Sequence, residues 1–248
     1  MPATSHETGP RGPCRRVGGV SGHLNPGGQQ FRGDRGGADP LLTAALAAYH
    51  VGQGSEQAAL DALAAARLLV PVIAEQSHKD QSGGDKDSEM VLPTLIGRDG
   101  RPAVLAFTGL DALARWRPDA RPVPAEADRV WRAAVADGCA VVIDVAGPVP
   151  LAVEGARLAA LAAGQPVPPP HEDLDVRAEV QAAVAAEPAI AGFSLAPGHP
   201  GAADLAITLH LAPRQDADLG SAVNRAAAGI ATRLGARLRR GIEVVIAE

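Results

Sequence analysis

Aromatic residues are scarce in this chain: two Trp, one Tyr and three Phe stand among 248 residues. The core cannot rest on large rings and must be built from Ala, Leu and Val. At 46% apolar composition there is enough of these for one large or two small domains. Cysteine is as rare. Cys14 and Cys139 form no disulfide framework and lack metal-ligand spacing, which fits a reducing, cytoplasmic setting. Lysine is confined to Lys79 and Lys86 while arginine abounds; with the surplus of Ala, Gly and Pro, this reads as the coding bias of a GC-rich, bacterial-type genome. Positive charge is not in excess either. The formal net charge is -5, which argues against a protein that grips phosphate backbones, so no nucleic-acid partner is expected. No run approaches the ~18 apolar residues needed to cross a bilayer. The amino terminus has arginines without the apolar stretch of a secretory leader, so the expected protein is soluble, with no membrane partner.

Residues 1–40 are rich in Gly, Pro, Arg and Gln with almost no apolar periodicity, the mark of a disordered tail. Leu41 to His50 and Ser55 to Arg67 then read as helices, the second capped by Ser55 and carrying Ala59, Leu60, Leu63 and Ala66 on one face. Leu68 to Ala74 suits a buried strand. Gln76 to Glu89 is polar and contains Ser82-Gly83-Gly84, so a flexible loop is expected.

Local signals agree best from Val91 to Trp131. Arg98-Asp99-Gly100 separates two apolar runs, Met90 to Gly97 and Arg101 to Phe107, and Asp-Gly tolerates the positive φ of a tight turn, so a hairpin is predicted. Thr108 is placed to cap a helix over Gly109 to Arg117, with Asp111 as a near match to the capping box. The three prolines from Arg117 to Pro124 predict a rigid connection that blocks regular pairing. Glu126 to Asp137 sets Ala127, Val130, Trp131, Ala134 and Val135 on one helical face, and Gly138 supplies the stop. Cys139 to Val145 reads as a central strand covered on both faces.

Pro148 to Ala163 reads as a short strand and a helix, and Gln165 to Pro170 as a proline-rich linker between domains. Beyond it lie a helix at Leu174 to Ala186, with Val176, Val180, Ala183 and Val184 on one side, and strands at Ile190 to Leu195 and Leu205 to Leu211. A long helix at Asp216 to Leu234, carrying Val223, Ala227, Ile230 and Leu234, leads to a last strand at Ile242 to Ile246. This second unit has the order α-β-β-α-β.

The block Leu92-Pro93-Thr94, Asp99-Gly100-Arg101, Val104-Leu105-Ala106-Phe107-Thr108, Leu113 and Trp116, then the helix with Trp131 and the strand ending at Asp144, resembles the SseB family, named for enhanced serine sensitivity. Phe-Thr-x-x-x-x-Leu-x-x-Trp after a hairpin carries the likeness, which is close over Leu41 to Ala163 and looser beyond. The resemblance implies an SseB-like amino-terminal domain over 41–164 and a small SseB-like carboxy-terminal domain over 171–248. It brings no catalytic residues to carry over. The tail and the insert Gln76 to Glu89 depart from the family pattern.

Individual residues offer single candidates for chemistry. Asp144 ends an apolar strand, where ligand crevices of α/β sheets lie; with Thr108 and Trp116 it forms the candidate binding set, each with a structural alternative. Trp116 and Trp131 read as a recognition pair or, preferably, as packing residues. Asp85, Asp87 and Glu89 alternate like a calcium loop, but Met90 stands where the turn needs Gly and Ile96 where a bidentate Glu belongs. Gly192-Phe193-Ser194-Leu195-Ala196 lacks the second Gly of a nucleophile elbow, so Ser194 reads as a strand serine. The seven histidines are scattered, and His171-Glu172-Asp173 is best read as a helix start. Arg233, Arg237, Arg239 and Arg240 form the basic cluster, which suits a helix carboxyl end.

The expected architecture is α+β, with two small domains, each a mixed sheet packed with helices. The expected function is a non-catalytic, cytoplasmic interaction or regulatory module with a protein partner, no cofactor and no metal. Its rival is a small-molecule enzyme or metabolite-binding module linked to serine or sulfur amino acid metabolism.

Overall fold

The computed structural model describes residues 31–76, 88–91, 93–97, 100–213 and 219–247. The fold is α+β, with seven helices and three sheets among them. Helix α1 (Pro40–His50) starts where Asp39 accepts hydrogen bonds from the N–H groups of Leu41 and Leu42, with Pro40 in the first turn, where a missing N–H does no harm. Helix α2 (Glu56–Ala64) is capped by Ser55 as the sequence predicts. Strand β1 (Arg67–Gln76) pairs antiparallel with β2 (Ser88–Val91) and with a later strand. The calcium-like carboxylates Asp85 and Asp87 and most of the predicted loop lie outside the described residues.

The run predicted as one strand, Met90 to Gly97, is two. Strand β2 ends at Val91 and belongs to the sheet of β1, whereas β3 (Thr94–Ile96) pairs with β4 (Pro102–Ala106) as the predicted hairpin. Pro93 lies between them, and a residue without an N–H is suited to leaving one sheet for another. Helix α3 (Leu110–Trp116) follows. The expected rigid connection is also different. Strand β5 (Arg121–Glu126) pairs with β1 along six residues in spite of Pro122 and Pro124. Both prolines are tolerated because β5 is an edge strand; two residues apart, they point the same way and leave their missing donors off the ladder.

Helix α4 (Ala127–Ala136) buries Ala127, Val130, Trp131 and Ala134, while Val135, expected on the same face, is 46% exposed. Gly138, at φ 64°, ends it, with the N–H of Cys139 bonded to the carbonyl of Ala134. Strand β6 (Ala140–Ile143) runs parallel to β4, and β7 (Leu151–Val153) closes a four-stranded sheet of order β3-β4-β6-β7. Helix α5 (Gly155–Ala162) returns over it. This sheet and β1 have a core on each side. One contains Leu60, Val70, Val104, Trp131, Val141 and Ile143. The other holds Leu69, Leu105, Phe107 and Leu113.

The carboxy-terminal elements keep the predicted α-β-β-α-β order: α6 (Leu174–Val184), β8 (Ile190–Pro197), β9 (Leu205–Leu211), α7 (Leu219–Leu234) and β10 (Ile242–Ala247). The sheet order is β10-β9-β8, with β10 parallel to β9 and β8 antiparallel to it. A bulge between Ile190 and Gly192 resets the alternation of β8, so that Ile190 and Phe193 both reach the core. That core joins Val176, Val180, Ala183 and Val184 of α6 to Leu205, Ile207 and Leu209 and to Ala226, Ile230 and Leu234. The buried face of α7 is Ala222, Ala226, Ile230 and Leu234, with the predicted Val223 and Ala227 at its margin.

Candidate functional site

Asp144 and Thr108, separated by 36 residues, meet at the carboxyl ends of the parallel strands β4 and β6. The N–H of Asp144 bonds to the carbonyl of Ala106, which carries the β4–β6 pairing one step past the strand end. Its backbone then turns into the left-handed region at φ 48°, which Asp tolerates better than most side chains. This turn aims the carboxylate back at Thr108, just past the end of the neighbouring strand β4. Oδ1 accepts the Thr108 N–H at 2.8 Å and Oδ2 accepts the Thr108 hydroxyl at 2.7 Å. Thr108 therefore does not cap α3; Gly109 stands at that position without a side-chain bond.

Both residues are buried, Asp144 at 7% exposure and Thr108 at 6%. Burial pushes the Asp144 carboxyl above its usual range, opposed by the two Thr108 bonds and by nearby Arg115. The remaining polar groups of the turn are also engaged. Arg67 donates to the Thr108 carbonyl at 3.2 Å and pairs with Asp34 at 2.8 Å, and the Leu110 N–H bonds to the Gly36 carbonyl at 2.8 Å. A Cβ on Gly109 would sit 2.8 Å from the Ala38 nitrogen, so only glycine admits this approach. Residues 34–39, expected as part of a disordered tail, are thus docked on the turn; residues 1–30 lie outside the described residues. Trp116 does not join the pair. It is half-buried, its ring 5.5 Å from that of Phe107.

A second pair forms on the carboxy-terminal sheet, where Ser194 Oγ lies 3.2 Å from His210 Nε2. Adjacent strands bring them together, which no spacing in the sequence announces. Both side chains are exposed, on the face of the sheet opposite α6 and α7. Beside that sheet, α6 and the start of β8 border a groove of about 570 Å³, lined by Arg177, Gln181, Glu187 and Phe193 among others. The Arg177 guanidinium lies 5.8 Å from the centre of the Phe193 ring, and Glu187 is held by a two-pronged pair with Arg225.

The strongest polar cluster was not legible in the sequence. Glu56, in the first turn of α2, accepts from Arg157 of α5 at 2.5 Å and from Arg237 at 2.7 Å, and Arg237 also pairs with Asp173. All four side chains are largely buried, between 0% and 12% exposed. Two cations face two carboxylates, the condition under which charges can be kept from water. Around this hub the Tyr49 hydroxyl donates to the Arg237 carbonyl at 2.6 Å. Asp175 accepts the Ala156 N–H at the start of α5 at 2.7 Å. Gly155, at φ 58°, is required there, since a Cβ would fall 2.0 Å from the Asp175 carboxylate. Of the basic cluster, Arg237 is spent on the hub, Arg240 on Asp204 and Arg233 on Glu179. Asp173 opens α6, as expected of its segment.

Among the described residues, no three His, Cys, Asp or Glu side chains are grouped to hold a metal ion. Nor is any helix there long and apolar enough to cross a membrane. Residues 42–160 match the family model for the SseB protein N-terminal domain. No curated protein and no solved structure matches the chain. The matched span runs from α1 to α5 and contains the β4–α3 turn, Trp131 and Asp144, and through this domain the chain belongs to the SseB family.

Proposed function

We propose that the chain is a non-catalytic interaction or regulatory module of the cytoplasm that acts on a protein partner, and that residues 171–248 are its SseB-like carboxy-terminal domain, joined through 165–170. The observation that carries this reading is the fate of Asp144. A catalytic or ligand-binding carboxylate must reach a substrate, whereas both oxygens of Asp144 are committed to Thr108 in a buried turn. The pair works as a clip that ties two strand ends and the start of α3.

The rival, a metabolite-binding module linked to serine or sulfur amino acid metabolism, is favoured by the groove beside α6, where Arg177 offers a cation to a carboxylate. A thermal-shift screen of the full chain against serine, sulfur amino acids and a broad metabolite panel separates the two. The interaction reading expects no stabilising metabolite and a defined protein retained by the chain from its native host. Stabilisation by several degrees that Arg177→Ala abolishes would transfer the function to the groove; stabilisation lost in Asp144→Asn would return it to the strand end.

A further inference from the structure

A sheet edge presents unpaired N–H and C=O groups that recruit other strands, and soluble proteins protect it with short strands, prolines, bulges or charges. This chain uses such devices repeatedly. Strands β2, β3 and β7 run for four, three and three residues. Strand β5 carries Pro122 and Pro124, and β8 is interrupted by its bulge and ends at Pro197. Strand β10 has no proline and no bulge, is longer than β2, β3 and β7, and carries one charge, Glu243. It extends for six residues, Ile-Glu-Val-Val-Ile-Ala, in unbroken register with β9, and among the described residues no strand pairs with its outer edge. Val245 and Ile246 stand 45% and 47% exposed on it.

We propose that β10 pairs antiparallel with β10 of a second copy of this chain about a two-fold axis, joining the two three-stranded sheets into one. Residues directly opposite each other in an antiparallel pair share a face, so a two-fold pairing that keeps the helices of both copies on one side must match odd positions with odd. Centred on Val245, it sets Val245 against its copy, Val244 against Ile246 and Glu243 against Ala247. Both exposed apolar side chains are then covered by apolar partners, and the strand's single charge never meets itself. Centred on Val244, the register would set Val245 against Glu243; centred on Glu243, it would oppose like charges. The strand is thus its own complement, whatever else the chain binds.

Sedimentation velocity on the full chain across a dilution series tests this. The wild type should approach twice the 25.2 kDa of one chain. Val245→Asp opposes two carboxylates at the axis and should raise the dissociation constant by about tenfold or more. Should the charged variant fail to fold, cross-linking decides: in a Cys14→Ser background, Val245→Cys places two thiols with Cβ atoms about 4.5–5.5 Å apart. Mild oxidation should link it into a covalent dimer, while Ser194→Cys, on the opposite edge strand, stays single. A wild type of single-chain mass at every concentration, a dimer that folded Val245→Asp leaves intact, or a Val245→Cys that links no faster than Ser194→Cys would each overturn the proposal.

Discussion

Strands β4 and β9 both lie inside their sheets, yet they bury their residues by different rules. Strand β4 buries Ala103, Val104, Leu105 and Ala106 in succession, whereas β9 buries Leu205, Ile207 and Leu209 and leaves Ala206 and Thr208 partly open and His210 exposed. The cause is coverage. Val104 and Ala106 face one core while Leu105 faces another, so β4 has no polar side. Helices α6 and α7 cover β9 on one face only. In the amino-terminal elements the sheet interior is therefore closed to partners, and in the carboxy-terminal ones a face and an edge remain available.

The largest expected effect tests the closed side. Trp131 is fully buried between α4 and the strands, and Trp131→Ala should cost about 3–5 kcal/mol in denaturant unfolding. A near-native midpoint would mean that this core tolerates a void and that the contrast with the open sheet is false. Val135, on the same helix and exposed, is the matched control.

Next is the hub that holds the two regions together. Glu56→Gln removes the carboxylate that Arg157 and Arg237 share and leaves Asp173 to Arg237, and removing one partner from a buried ionic cluster typically costs about 3–5 kcal/mol. Since the residue belongs to one region and half its partners to the other, unfolding should also lose cooperativity, with calorimetric and van't Hoff enthalpies drawing apart. A single unchanged transition would show that the regions dock without it.

Thr108→Val should be milder, about 1.5–3 kcal/mol, from the lost hydroxyl bond to a charged acceptor. Asp144 also gives the turn a pH signature. Its carboxyl is raised above the ordinary 3.8, so its contribution is most favourable below that value and declines as pH climbs through the raised value. Wild type should consequently lose stability relative to Asp144→Asn on going from acid toward neutral pH. The opposite slope would mean that the carboxylate, rather than the acid, is the favoured form.

Tyr49, the sole tyrosine, reports the same docking optically. Burial, and then the charge of Glu56, push its hydroxyl up from 10.0 to about 12. The stability tied to it is complete below 10.0 and is lost as pH rises through about 12. An absorbance titration should find the midpoint near the upper value in wild type and lower in Glu56→Gln, with burial still holding it above 10.0. Smallest of all, Thr208→Ala on the open face of β9 should change stability by no more than about 0.5 kcal/mol; a larger loss would mean that the face is covered.

Much of this was written locally. The caps at Ser55 and Gly138, the hairpin of β3 and β4, the period-two pattern of β9 and the buried side of α6 follow from residues near one another, because a turn, a cap or one face of a helix is decided within a few positions. The prolines from Arg117 to Pro124 do not follow the local rule, since the effect of proline depends on whether a strand is central or at an edge, which is a property of the sheet. The candidates Asp144 and Thr108 were legible as single residues, but their union was not; nothing in a stretch of 36 residues states that two strand ends will lie side by side. The same holds for Ser194 with His210 and, over 101 and 181 residues, for Glu56 with Arg157 and Arg237. By itself the sequence determined most of the elements, most of their apolar faces and the family likeness of the first domain. Only the tertiary structure decided which charges meet, which carboxylate is sealed and which edge stays bare, because those outcomes depend on the packing of elements far apart along the chain.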